Sequence, residues 1–107
     1  MSKVVNQDTC KKALEMWGED LQMNMVVEEL AELIHAIQKF RRGRAPVTEV
    51  AEEHADVLIV LNQLGLIMSD LSPNYIDQVT IWERAKTERL RHRSIEFDIG
   101  RGDSNKR

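Results

Sequence analysis

Apolar positions recur at helical spacing along most of the chain, most plainly in the run MVVEELAELIHAIQKF, residues 25–40. Taking about 100° of rotation per residue, with Met25 at zero, places Ala36, Phe40, Leu33, Val26, Ile37 and Leu30 on one arc between about 20° and 140°. The run EVAEEHADVLIVLNQL, residues 49–64, is apolar almost all round, because Leu58, Ile59, Leu66 and Ile67 cover the sides that Val57, Val60 and Leu64 leave. Period-two alternation is missing, so the pattern predicts an all-α chain.

Glycine and proline punctuate the pattern where helices should end. A first helix capped by Asp8 or Thr9 runs through Leu14 and Trp17 and stops at Gly18. A second covers residues 20–42 and closes on Lys39, Arg41 and Arg42, cations that suit the negative end of the helix dipole. The connection over residues 43–47 is short, so the third helix, capped by Thr48 and ending near Leu71, packs antiparallel to the second. Ser72 and Pro73 open a fourth helix that runs to about Ser94. This reading gives one domain over residues 1–95, a four-helix antiparallel bundle, and a polar, flexible tail over residues 96–107. A third helix apolar on every side, in so small a bundle, implies completion by a second copy.

Within these apolar arcs sit two acidic pairs, Glu29 with Glu32 and Glu53 with Asp56. Residues three apart share a helix face, so each pair can aim two carboxylates at one spot. Glu29 falls at about 40° on the second helix, between Ala36 and Phe40, and Glu32 at about −20° on the arc's border. Glu53 is ringed by Val57, Val60 and Leu64, with Asp56 beside Ile67. With 18 acidic residues in 107, one such pair arises by chance; two pairs inside apolar arcs on adjacent antiparallel helices do not. Like charges gathered away from water need a cation, and four carboxylates match the oxygen ligands preferred by Mg²⁺, with Mn²⁺ a possible substitute. The pair Glu32 and His35 has the spacing of a di-iron bundle, but that site needs a second copy of the motif, and His54 stands at the wrong spacing for one.

Net charge −3 supplies no general attraction to nucleic acid or to an anionic membrane. The N-terminus lacks the apolar core of a leader, and the longest strongly apolar stretch, residues 57–61, is short of the roughly 20 residues a membrane span needs. One cysteine, Cys10, excludes an internal disulfide. Together these features predict a cytoplasmic protein with no nucleic-acid or membrane partner.

The string VVEELAELIHAIQKFRRG followed by EVAEEHADVLIVLNQL resembles the MazG-like all-α nucleoside triphosphate pyrophosphohydrolases, in particular a small phage and bacterial branch that also carries WGEDLQMNMVVEELAEL. The resemblance lies in Glu28-Glu29-x-x-Glu32, a gap over residues 33–52, then Glu53-x-x-Asp56, and extends over roughly residues 10–95. It implies Mg²⁺-dependent hydrolysis of a nucleoside triphosphate to the monophosphate and pyrophosphate, as in nucleotide-pool housecleaning. It also implies Glu29, Glu32, Glu53 and Asp56 as metal ligands. Glu28 and Glu52, adjacent to those ligands, are the candidates for accepting the proton of the attacking water. Lys86, Arg89 and Arg93 recur on one side of the fourth helix and can meet phosphates, and Trp17 can cover a nucleobase. A homodimer or homotetramer is expected. The alternative is a non-catalytic helical module for oligomerisation or partner binding, which the inward placement of Glu29 and Glu53 disfavours.

Overall fold

The computed structural model describes residues 6–105, with side chains described through Arg101. Residues 1–5, where no leader was expected, and residues 106–107 of the expected tail lie outside the described residues. The fold is all-α, with three helices and no strand among the described residues: α1 over Gln7–Arg41, α2 over Val47–Leu71 and α3 over Tyr75–Asn105. Two compact units arise, Met1–Pro73 and Asn74–Arg107.

Helix α1 is broken inside. Gly18 has φ 79° and ψ 166°, non-helical values in a region that only glycine adopts readily. The bend there is sharp. The amide of Gln63 donates both to the Cys10 carbonyl and to Gln22 Oε1, each at 3.0 Å. A straight helix would hold Cys10 and Gln22 about 18 Å apart, so the chain must fold back at Gly18 for both to meet one amide. Residues 7–17 therefore form an arm lying against α2, which matches the helix stop read at Gly18. Gly18→Ala tests this: it should destabilise the protein by about 1–3 kcal/mol in urea unfolding, whereas alanine in an unbroken helix would stabilise it by about 1 kcal/mol.

The arm begins two or three residues earlier than the sequence reading had it. Asn6, not Asp8 or Thr9, is the cap, its Oδ1 accepting from the Thr9 backbone N–H at 2.9 Å. At its other end α1 closes as expected, with Gly43 at φ 72° and the Gly43 and Arg44 amides returning to the Phe40 and Lys39 carbonyls, both at 2.9 Å.

Thr48 does not cap α2. Pro46 holds that position in an extended conformation without a side-chain hydrogen bond, and the helix begins at Val47. Proline needs no N–H partner at a helix start, and its fixed φ favours the turn into it. Lys39 Nζ meets Glu49 Oε1 at 2.9 Å near the loop, while Gln22 meets Gln63 far from it. Separation from the loop thus grows together on both helices, which makes residues 19–41 and α2 an antiparallel hairpin. Val26, Ala36, Val57, Val60 and Ile67 are its buried apolar side chains.

By length, and by an 18-residue stretch of mean hydropathy 1.2, α2 is long and apolar enough to cross a membrane, which the shorter run over residues 57–61 did not suggest. Its buried Asn62 and Gln63 are nevertheless bonded to α1, as in the core helix of a packed hairpin.

Two features of α3 differ from expectation. Ser72 ends α2 rather than opening the next helix, and α3 begins at Tyr75. It does not stop near Ser94 but continues to Asn105, so residues 95–105 are helical rather than an irregular tail. Ile95, Glu96, Phe97 and Asp98 extend the helical pattern with no proline to break it, and the Arg101 guanidinium lies over the Phe97 ring, 6.0 Å from its centroid at the i,i+4 spacing. Trp82 is 57% exposed in the single chain.

Candidate metal centre

The hairpin brings its inward acids to one place. Carboxylate oxygens of Glu29 on α1 and of Glu53 and Asp56 on α2 all lie within 4.8 Å of one another, and the three residues are half-buried. Placement follows from periodicity: Glu29 lies three residues from buried Val26, and Glu53 and Asp56 lie four apart from buried Val57 and Val60 respectively. Glu29 Oε2 and Glu53 Oε2 are shut off from solvent without a hydrogen-bond partner. No lysine or arginine is bonded to the three acids among the described residues; Lys39, the nearest basic residue along α1 with an ion pair, is taken by Glu49.

The electrostatic result is what crowding of like charges dictates. The Glu29 carboxyl is pushed above the ordinary glutamate value by burial first, then by the charges of Glu32, Asp56 and Glu53, then by a hydrogen bond with Glu32. Glu53 is pushed up the same way, by burial, Glu32 and Asp56, the Glu32 hydrogen bond and Glu52. Glu32 itself is exposed, on the rim of the cluster, as its place at the border of the apolar arc predicts.

These oxygens fit a hard divalent cation. Mg²⁺ and Mn²⁺ take carboxylate oxygens, retain waters on their open side, and would satisfy the two orphaned oxygens while cancelling the repulsion. The softer-ligand alternative gains nothing: His35 and His54 are both exposed and neither joins the cluster.

The remaining site residues read from the sequence are not gathered here. Glu28 and Glu52 are exposed neighbours of the cluster, on the water-facing sides of their helices. Trp17 is 54% exposed at the end of the arm, against the Gly18 bend. Lys86, Arg89 and Arg93 are exposed on α3, in the second unit. Arg91, in the same basic run, is committed to Glu88 through two hydrogen bonds of 3.0 and 2.5 Å.

Sequence reasoning passed over the polar contacts two turns from the acids. Gln22 and Gln63 are each 3% exposed and bonded to each other, and Asn62 exchanges two hydrogen bonds with Gln7, at 2.6 and 3.1 Å. The available signal was the pair Asn62-Gln63 inside the apolar run LIVLNQLGLI, where an amide survives only with partners.

Comparison of the chain with family models, with curated proteins and with solved structures returned no match.

Proposed function

We propose that the protein is a nucleoside triphosphate pyrophosphohydrolase of the MazG-like kind, cleaving a triphosphate to the monophosphate and pyrophosphate with Mg²⁺. The observation that carries this reading is the meeting of Glu29, Glu53 and Asp56 across two helices with two buried, partnerless oxygens. A bound Mg²⁺ supplies charge neutralisation on the triphosphate and a water of lowered pKa. Glu29, Glu53 and Asp56 would hold that cation, with Glu32, on the rim of the cluster, as a further ligand. Glu28 or Glu52, exposed beside these ligands, accepts the proton of the attacking water. Trp17 offers a flat apolar face to the base.

Assembly into a homodimer or homotetramer belongs to the same reading. Val27, Leu30, Ile34 and Ile37 follow a three-four-three spacing along α1 and are all exposed in the single chain, as are Leu58, Ile59 and Leu61 on α2. A continuous apolar stripe of this kind is characteristic of a helix that packs on another subunit. Packing of two such faces completes a four-helix arrangement around the acids. A cytoplasmic setting agrees with the lone, buried Cys10 thiol.

The direct test is pyrophosphate release from a panel of ribo- and deoxyribonucleoside triphosphates. Turnover of at least one member with Mg²⁺, lost on chelation and restored by Mn²⁺, is the expected result. No release from any triphosphate, together with tight capture of a protein or peptide by the apolar stripe, would move the assignment to a non-catalytic oligomerisation module.

A further inference from the structure

The acids and the buried amides stand in a fixed relation. Seven residues along α1 separate Gln22 from Glu29, and seven along α2 separate Asp56 from Gln63. On antiparallel helices, the step from the amide pair to the carboxylate cluster is therefore the same on both sides, two turns or about 10 Å. The seam between the helices holds three polar rungs in order: Lys39 with Glu49 near the loop, the carboxylates, then Gln22 with Gln63. The middle rung repels itself, and the outer two attract.

We infer that the Gln22–Gln63 amide rung is a positioning device that holds α1 and α2 in the register at which Glu29 meets Glu53 and Asp56. This inference rests on the metal-site reading for its purpose but not for its geometry. Both N–H groups of the Gln63 amide are used, one on Gln22 Oε1 and one on the Cys10 carbonyl, at 3.0 Å each. An amide NH₂ is planar, with its two hydrogens at fixed angles, so two acceptors on different segments constrain each other through it. Burial of both glutamines makes the bonds strong and their loss costly. Slippage of α2 by one residue would remove Gln63 from both acceptors and rotate Glu53 and Asp56 by about 100° away from Glu29. Through the Cys10 carbonyl the arm takes part as well, although it supplies no ligand. Gln22 and Gln63 thus act through the carboxylates rather than on substrate.

The test uses the full chain and Mn²⁺ alone as probe, with free Mn²⁺ read by electron paramagnetic resonance. Gln63→Met and Gln22→Met keep the side-chain length and remove the rung, and each should weaken Mn²⁺ binding by about tenfold or more. The double variant should be little worse than Gln63→Met alone, because Gln63→Met already removes the bond that Gln22→Met removes. Ile67→Ala, a core deletion beyond the rung that lowers the melting temperature at least as much, should leave Mn²⁺ affinity within roughly threefold. A metal-free readout accompanies this: spin labels at Ala31→Cys and Ala55→Cys, both exposed, in a Cys10→Ala background. Their distance distribution should shift or broaden in Gln63→Met but not in Ile67→Ala. Unchanged distances, or Mn²⁺ affinities that merely follow melting temperature, would overturn the positioning role while leaving the metal site standing. If the parent chain takes up no Mn²⁺ yet the label distances still shift, the metal reading falls and the register role survives.

Discussion

Glu53→Gln should make the metal-free protein more stable and the catalyst at least about a hundredfold slower, because removing partners that merely support a metal ligand already costs tenfold to a hundredfold. The two effects come from one side chain. Glu53 sits among Glu29, Glu32 and Asp56, and every neighbouring charge named around it raises its affinity for a proton. The amide is nearly isosteric, carries no charge, and can donate to the adjacent carboxylates, so it replaces a repulsive contact by hydrogen bonds. In a folded chain without a cation, that substitution relieves strain. With Mg²⁺ present, the same substitution removes an anionic ligand and leaves an N–H pointing where the cation should sit. The expected data are a higher melting temperature without metal, a smaller or absent rise on adding Mn²⁺, and loss of pyrophosphate release in the turnover assay. Glu29→Gln should behave alike, since its carboxyl is raised by the same neighbours. A variant that loses stability and activity together would instead mean that Glu53 serves the fold. Opposed changes of this kind mark a residue kept for function at the expense of stability.

Much of the arrangement was legible in the sequence because it depends on local periodicity. The helical spacing of apolar residues, Gly18 and Gly43 as breaks, and the short connection before α2 define the hairpin without any knowledge of contacts. The same spacing points Glu29, Glu53 and Asp56 inward, and the structure brings their oxygens together. What stayed hidden depends on contacts between segments distant in sequence. Nothing local says that Gln63 will bridge Cys10 and Gln22, since the bend at Gly18 must first return the arm to α2. Helix ends were shifted for a related reason: Asn6 outcompeted Asp8 and Thr9 as a cap, all three being residue types able to serve. At the far end, composition suggested an irregular tail, but continuity with α3 costs little once a helix already exists to extend.

Raising the pH of the metal-free protein from below 4.5, the ordinary glutamate value, should progressively lower its stability, and a divalent cation should reverse the trend. The sign follows from proton counting. Glu29 and Glu53 hold their protons more tightly in the folded chain than in the unfolded one, so between the two pKa values the native state binds more protons. Stability then falls with rising pH. The contribution is fully present below the unfolded value and lost as pH passes through the raised folded values; above them both carboxylates are charged and repel. Glu88, held below the ordinary value chiefly by its hydrogen bond from Arg91, works in the opposite sense, but it is exposed and water screens its pairing. Mg²⁺ or Mn²⁺ competes with protons for the same oxygens, so its stabilisation should be small at acidic pH and grow as the carboxylates ionise. At neutral pH and a cation concentration a hundredfold above its dissociation constant, mass action gives about 2.7 kcal/mol. For a chain of this size that is a rise of roughly 10–20 °C in melting temperature. Scans at several pH values, with Mn²⁺ and with chelator, measure both limbs. A melting temperature that climbs steadily with pH in chelator, or one indifferent to Mn²⁺ at neutral pH, would show that Glu29, Glu53 and Asp56 do not share a cation.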